Sequence, residues 1–379
     1  MTRRELLSAA AAAPLATGEP LRLRALGRSG LMVSPLAVGC EELADPLIVR
    51  RAVELGINHF FSFNSWDAIG AAAQGLREKV VLSAGSKSDT RAAMEADIER
   101  ALREMRTDHI DLWYVASRLR PEQITDEMLE TLRAARKAGK IRAAAVTTHR
   151  FRDILPRLIE VGEIQAVMIA CNFAIWNNTW TLIGEVLEKD SRAADVRRAR
   201  AAGMGIVAMK PMLGGLQYRP AERKAWVESL DSEEKRARAL SAALRWILGN
   251  AEIDTALVHT PSVEILERNA RTARQVFSDE DRAVLAAELE RISPSYCRMC
   301  ESCAGTCRRG LPVADLQRFA LYADGYGDVA KARAHFRRLP AALQRIDCSG
   351  CPECSVRCPN GVRVRQQLLR AAEVLLRPA

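Results

Sequence analysis

No apolar run in the 379 residues reaches the ~18 that a membrane-spanning helix requires, so no transmembrane segment is expected. Low-complexity tracts are missing as well, and the composition is that of an ordinary globular protein. The length allows one large domain plus a small one. No glycine-rich dinucleotide fingerprint opens the first β–α unit, which argues against a doubly wound nucleotide-binding sheet. Residues 21–293 contain no Ser/His/Asp series, no phosphate-cradling glycine loop and no histidine pair at metal spacing. Triad hydrolysis, P-loop phosphoryl transfer and histidine-ligated metal catalysis therefore lack a sequence basis in that region.

What the chain does have is cysteine, concentrated near one end. Eight of its ten cysteines fall between residues 297 and 358, in two runs of one form. Cys297, Cys300, Cys303 and Cys307 make a C-x2-C-x2-C-x3-C run; Cys348, Cys351, Cys354 and Cys358 repeat it, and Pro359 follows. This is the bacterial ferredoxin spacing for a pair of [4Fe–4S] clusters. Three closely spaced thiolates cap three corners of a cubane, and the fourth reaches the other cluster. Cys297, Cys300, Cys303 and Cys358 are thus expected on one cluster, and Cys348, Cys351, Cys354 and Cys307 on the second. Structural zinc usually takes two C-x2-C pairs a dozen or more residues apart, and C-x2-C repeats rarely suit disulfide geometry.

The formal charge of +9 has a location. From Arg291 onward fifteen Lys/Arg face seven Asp/Glu, so nearly all the excess lies in the cysteine-rich end. Two clusters with eight thiolates bring roughly −4 of charge, which neighbouring arginines offset. That accounts for the basic stretch better than nucleic-acid binding does, and no nucleic-acid partner is expected. A basic surface would also steer an acidic redox partner protein.

At the other end, Arg3 and Arg4 precede a short alanine-rich segment, Ser8 to Ala16. Twin arginine before a small-residue apolar region resembles a bacterial Tat export signal, although no clear A-x-A cleavage site follows. Residues 1–20 are therefore read as a Tat-like signal or an N-terminal extension. The first implies a periplasmic protein, the second a cytoplasmic one.

Between these ends, β-rich runs alternate with stretches of helical period. The runs are Leu36–Cys40, His59–Phe63, Val80–Gly85, Ile110–Ala116, Ile141–His149, Ala166–Asn172, Gly205–Met212 and Asp254–Thr260. Helical segments include Asp89–Met105, Asp126–Ala138, Ala193–Ala202, Glu233–Leu248 and Val263–Thr272. Eight such units predict a closed (β/α)8 TIM barrel over residues 21–293. Leu21–Arg24 and Leu31–Ser34 are read as a hairpin closing its floor. A helix over Ser278–Arg291 follows, and Pro294 marks a boundary. Residues 294–379 then predict a small all-helical ferredoxin-like domain, with helices over Val313–Ala323, Val329–Leu343 and Val362–Leu376.

Residues 21–293 resemble the aldo/keto reductase family. Leu26-Gly27-Arg28-Ser29-Gly30-Leu31-Met32-Val33-Ser34 matches its opening motif, and Thr107-Asp108-His109-Ile110-Asp111-Leu112 the approach to the fourth strand. Gly139-Lys140-Ile141-Arg142 and Met209-Lys210-Pro211-Met212-Leu213-Gly214-Gly215 match the fifth and seventh strands. The whole layout is similar to the branch that carries a C-terminal dicluster domain and sometimes a Tat signal. The resemblance implies NADPH-dependent carbonyl reduction by a tyrosine, a lysine, an aspartate and a histidine at the strand ends. None of the four carries over. Phe61 stands at the aspartate position, Trp66 at the tyrosine, Gly85 at the lysine and Ala116 at the histidine. Lys87 lies two positions past Gly85, without the aspartate or the tyrosine that would tune it.

The family's cofactor cleft is partly kept. Gly214 and Gly215 belong to its phosphate-side loop, and Asn269 to its adenine end. Arg268 replaces a usual glutamate, Thr147 and Thr148 a Ser-Asn pair, Met168 a glutamine and Met209 a tyrosine. NADP(H) is therefore no longer argued for by the sequence. Thr147, His149, Asn172, Lys210 and His259 fall at predicted strand ends, with Cys40 and Cys171 beside them; each also reads as a group satisfying local backbone. His149, Asn172 and Lys210 are the best candidates for a remodelled pocket. The alternative, which is favoured, is a mouth filled by Phe61, Trp66 and Met168.

These observations predict an iron–sulfur redox protein that transfers electrons through two clusters beside a barrel without its tetrad. Two other readings stay open: an active oxidoreductase with an altered catalytic set, and a non-enzymatic binding protein with structural clusters. The small-molecule substrate is not legible.

Overall fold

A computed structural model of the chain describes residues 21–39, 45–176, 191–212, 230–300, 302–324, 328–348 and 350–376. The twin-arginine segment, Cys40, Gly214 and Gly215 lie outside the described residues. The first elements are two short antiparallel strands, β1 (Arg24–Ala25) and β2 (Met32–Val33). Between them Gly27 has φ +50°, and a Cβ there would meet the Gly205 amide nitrogen at 2.1 Å, so only glycine fits. Leu26, Leu31 and Val33 turn into the barrel interior, and the hairpin closes the floor as the sequence predicts.

Eight parallel strands form the closed barrel in chain order. They are β3 (Leu36–Gly39), β4 (His59–Ser62), β5 (Val81–Ser86), β6 (Ile110–Val115), β7 (Ile141–Thr148), β8 (Ala166–Ala170), β9 (Gly205–Met209) and β10 (Thr255–His259), and β10 pairs back onto β3. Helices α1 (Leu47–Glu54), α2 (Trp66–Ala72), α3 (Arg91–Met105), α4 (Asp126–Lys137) and α5 (Phe151–Val161) follow the first five strands. Beyond them lie α6 (Phe173–Trp176), α7 (Ser191–Ala201), α8 (Leu230–Leu248), α9 (Val263–Thr272) and α10 (Asp279–Ile292). Hydroxyl caps set several starts: Thr90 accepts from the Ala93 amide, Thr125 from Met128, Ser262 from Ile265 and Ser278 from Asp281. Each such cap is worth about 1 kcal/mol.

Strand alternation divides the core into two layers. On β6, Leu112 and Tyr114 face inward with Phe61, Ala143, Ala145, Met168 and Val207. Trp113 and Val115 face outward into the larger layer beneath the helices.

The C-terminal segment adds α11 (Val313–Asp324), α12 (Val329–Phe336) and α13 (Val364–Leu375) around a core of Leu316, Phe319, Phe336 and Leu368. Every regular element among its described residues is helical. One expected helix is shorter than its sequence suggested. α12 ends at Phe336, and Ala341–Leu343 form a separate 3-10 turn. Pro340 explains the break, because it lacks an amide donor and disfavours helical backbone at Leu339. Tyr296 and Leu321 join the barrel's outer core, and the Arg363 amide donates to Pro294 O at 3.0 Å, so this segment is seated on the barrel.

Candidate functional site

The positions of the expected tetrad do not converge on a polar site. Phe61 points into the barrel and meets Phe63 and Tyr114 edge-on, at centroid distances of 4.7 Å and 5.0 Å. At Gly85 a Cβ would lie 2.5 Å from Tyr114 O, 2.7 Å from Tyr114 Cβ and 2.9 Å from Phe63 Cε1. A lysine stem has no room there. Ala116 is buried just past β6, its amide donating to Ser86 O at 2.8 Å.

Trp66 departs from the favoured reading. It does not fill the mouth; its side chain lies in the outer layer, tilted against Trp113 at 6.3 Å, with the Arg100 guanidinium 4.7 Å over its ring. The indole nitrogen donates to Ser62 O at 3.0 Å, which fixes that outward rotamer. The interior is filled instead by Phe61, Met168 and Tyr114, the last of which the sequence did not single out. The Tyr114 hydroxyl is buried with no hydrogen-bond partner among the described residues, and burial pushes its pKa up.

Above this plug, at the C-terminal ends of the strands, the three best pocket candidates do come together. Lys210 Nζ lies 2.9 Å from His149 Nε2, and Asn172 Nδ2 donates to Lys210 O at 3.1 Å. The C-terminal domain completes the cluster. Tyr296 OH stands 3.3 Å from Asn172 Nδ2, and Tyr322 of α11 presents its hydroxyl 3.5 Å, and its ring 4.7 Å, from Lys210 Nζ. Lys210 adopts a left-handed φ of +59°, uncommon for a residue with a side chain. His335 packs on Tyr322 at 5.2 Å and stacks on Phe319 at 5.8 Å. Tyr322 and His335 carry no sequence motif and reach the mouth only through docking of α11 and α12.

The electrostatics follow from burial among cations. His149 is held well below its ordinary value by desolvation, then by Lys210, Arg318, His335 and Lys331. His335 is lowered to about 4 by desolvation, then by Arg318, Arg338, Lys331 and Lys87. An ammonium only donates, so His149 Nε2 is the acceptor from Lys210 and the neutral ring carries its proton on Nδ1. Burial likewise raises the Tyr322 phenol.

Polar side chains at the strand ends also satisfy local backbone amides. Thr147 Oγ1 accepts from the Ser117 amide at 2.9 Å, and Thr148 Oγ1 from the Arg150 amide at 2.9 Å. Asn172 Oδ1 accepts from the Ala174 and Ile175 amides at 3.1 and 3.0 Å. At the opposite end of the cleft, Asn269 is buried with its Nδ2 unpartnered among the described residues, and Arg268 is half-buried beside it. His259 ends β10 exposed, and Cys171 is buried against β9 with its amide on Met209 O at 3.0 Å.

The eight clustered cysteines gather into two crossed sets. The Cys297 thiol feels the charges of Cys303, Cys300 and Cys358, and burial first of all pushes it up to about 12. The Cys348 thiol feels Cys307, Cys351 and Cys354 and is also raised, chiefly by burial. Each gathering joins three cysteines of one run with the last of the other. Asn360 Nδ2 donates to Cys300 Sγ at 3.3 Å, and Arg298 Nη1 holds Asn360 Oδ1 at 3.2 Å. Among the described residues no three His, Cys, Asp or Glu side chains are gathered as tightly as one metal ion requires. On a cubane each thiolate binds its own iron, and each set supplies four thiols for that.

A model of the aldo/keto reductase family matches residues 41–289, ending before the first cysteine run. L-galactose dehydrogenase of Arabidopsis thaliana is 24% identical over 294 residues, 68% of this chain and 90% of that protein. Aldo-keto reductase AKR11C1 from Bacillus halodurans, in its holo form, superposes with a TM-score of 0.56 at 19% identity, covering 71% of this chain and 96% of its own. A Pseudomonas aeruginosa structure described as an aldo-keto reductase gives 0.52 at 20% identity, covering 69% and 98%. At these identities the two structures speak for the barrel fold alone.

Proposed function

This chain belongs to the aldo/keto reductase family, and on that premise we propose that it is an iron–sulfur redox protein whose barrel has given up the family's NADPH-dependent carbonyl reduction. The observation that supports this most is the gathering of Cys297, Cys300 and Cys303 with Cys358, and of Cys348, Cys351 and Cys354 with Cys307. Two bound [4Fe–4S] clusters would supply one-electron transfer. The chain's own part is to hold and tune them. Buried thiols must lose their protons to bind iron, so loading is coupled to proton release. The Asn360 amide, oriented by Arg298, stabilises the Cys300 thiolate and thereby favours the reduced state of whatever it ligates.

The barrel side of the reading rests on Phe61, Gly85, Tyr114 and Ala116. No phenol, lysine and carboxylate meet there, and loss of such acid–base groups usually costs several orders of magnitude. Exposed Arg308, Arg337, Arg338 and Arg345 give the C-terminal domain a basic face suited to an acidic electron-transfer partner. The twin-arginine start suits export of a folded, cluster-loaded protein and favours a periplasmic place of work.

Anaerobically purified protein should be brown, absorb broadly near ~400 nm and bleach with dithionite, while NADPH leaves it unchanged. Colourless protein, or bleaching by NADPH, would overturn the reading.

A further inference from the structure

A cavity of about 330 Å³ lies where the ends of β7 and β8 face the first cysteine run. His149 lines it from the barrel side and Cys300 from the loop side. Its apolar wall is made by Phe151, Ile169, Ile175 and Met299. The arginines in the lining are matched by carboxylates that also line it: Arg150 Nε donates to Asp153 at 2.7 Å, and Arg152 Nε to Asp195 at 3.1 Å. The cavity therefore offers no net charge of either sign, and a carboxylate or phosphate would have to displace an existing ion pair. Its size and apolar wall fit a small, flat, uncharged organic molecule.

His149 serves two surroundings at once. The residue lines the cavity, while its Nε2 faces Lys210 Nζ at 2.9 Å. With Nε2 accepting from the ammonium, the donor nitrogen is Nδ1. Tyr322 holds the ammonium in place, its ring 4.7 Å below Nζ and its hydroxyl 3.5 Å away. Asp153, Asp195 and Cys300 share the cavity that His149 lines; the groups that lower its basicity are Lys210 from the strand end and Arg318, Lys331 and His335 from the C-terminal helices. They favour a neutral imidazole that passes a proton on over one that keeps it. An expected electron source and a built proton relay thus border one cavity.

We propose that this cavity is a reduction site for a small quinone-class carbonyl acceptor, with His149 as its proton donor. The proposal rests on the iron–sulfur reading above. Electrons enter the protein from a one-electron donor protein of low potential, which is oxidised. A cluster held by Cys300 and its set would supply two electrons singly to the quinone, which is reduced to the hydroquinone. One acceptor oxygen takes the proton from His149 Nδ1 as Lys210 Nζ supplies Nε2; the other takes a proton from solvent through the cavity mouth. The relay resets when solvent returns a proton to Nδ1 and Nε2 gives its own back to Lys210. Two O–H bonds form, the two C=O π bonds give phenolic C–O single bonds while the ring gains one C=C, and the N–H bonds of the relay are exchanged without net change. Lys210 and Tyr322 are positioning residues here, because neither lines the cavity.

The test uses the full-length, cluster-loaded protein, reduced with dithionite and freed of excess reductant. It is mixed rapidly with 1,4-benzoquinone and, separately, with ferricyanide, which takes an electron without a proton. His149→Gln should lower the ratio of the benzoquinone rate to the ferricyanide rate by at least about tenfold, since a positioned acid contributes more than that. Tyr322→Phe should shift the pH profile of the benzoquinone rate while keeping the fold's aromatic contacts. Equilibrium dialysis with hydroquinone, which does not react with reduced protein, reads the cavity independently of turnover. Ala170→Phe, on the cavity wall, should weaken that binding about tenfold with the ~400 nm absorbance intact. An unchanged rate ratio in His149→Gln, or unchanged hydroquinone binding in Ala170→Phe, overturns the cavity proposal alone. Protein that dithionite never reduces overturns the cavity proposal and the iron–sulfur reading together.

Discussion

Adding one methyl group at Gly85 tests whether packing leaves no room for a side chain at this strand position. A Cβ at this position would sit 2.5 Å from Tyr114 O, 2.7 Å from Tyr114 Cβ and 2.9 Å from Phe63 Cε1. Carbon atoms prefer contacts of about 3.5–4.0 Å, so each neighbour must retreat by roughly 1 Å. Two of the three atoms belong to Tyr114, whose main chain is held on both sides by pairing of β6 with β5 and β7. Such overpacking costs about 1–3 kcal/mol, and the rigid neighbour puts Gly85→Ala at the upper end. Glycine-to-alanine replacement returns about 0.4–1 kcal/mol through the unfolded chain. The net expectation is a loss of about 2 kcal/mol, or a fall in melting temperature of roughly 4–8 °C for a domain of this size. Gly85→Lys should do worse, because its ammonium would be buried beside Phe61 and Met168 without a carboxylate. Urea unfolding followed by far-ultraviolet circular dichroism measures both. A neutral or stabilising Gly85→Ala would refute the packing argument. A folded Phe61→Asp, Trp66→Tyr, Gly85→Lys, Ala116→His variant that reduces aldehydes with NADPH would refute the closed site as a whole.

Further outcomes follow from other contacts. His59, buried with Nε2 on Ser83 Oγ at 2.8 Å, is lowered to about 4, chiefly by desolvation. Because the unfolded histidine binds a proton near 6.5, its contribution to stability is complete above that pH and is lost as pH falls from 6.5 towards 4. His59→Gln should flatten that stretch in urea titrations at pH 5 and 7, and an unaltered slope would contradict it. Asn172→Ala removes partners from the Tyr296 hydroxyl, Lys210 O and two α6 amides, and should destabilise by about 2–3 kcal/mol in the same assay; a change under 0.5 kcal/mol would show that the amide does not tie the C-terminal domain to the barrel. Cys358→Ser should perturb the same cluster signal as Cys297→Ser, and Cys307→Ser the same one as Cys348→Ser, by electron paramagnetic resonance. The opposite grouping would refute the crossed ligand sets.

The barrel was legible because each strand is a short apolar run and the runs recur at β–α spacing; all eight expected strands form. Strand-end polarity was legible too, and His149, Asn172 and Lys210 do converge. Their partners were not. Tyr322 and His335 read as ordinary positions of helical segments, and only docking of those helices brings them to the mouth. Trp66 shows a different limit: a residue's place in a motif does not fix its rotamer, and the Ser62 carbonyl draws the indole outward. α5 forms despite Pro156, because burial of Ile154, Leu155 and Leu158 outweighs local propensity. At Gly85 the sequence conveyed a missing lysine, whereas the structure adds that Tyr114 occupies the space a lysine stem would need.

The central claim is that eight cysteines hold two redox-active clusters, and a single preparation tests it most directly. Iron and acid-labile sulfide are quantified in anaerobically isolated protein, and the dithionite-reduced sample is examined by electron paramagnetic resonance. The account predicts about eight irons and about eight sulfides per chain, with signals from two reduced [4Fe–4S] centres. Stoichiometric zinc in place of iron, or iron that stays unreduced, would contradict it.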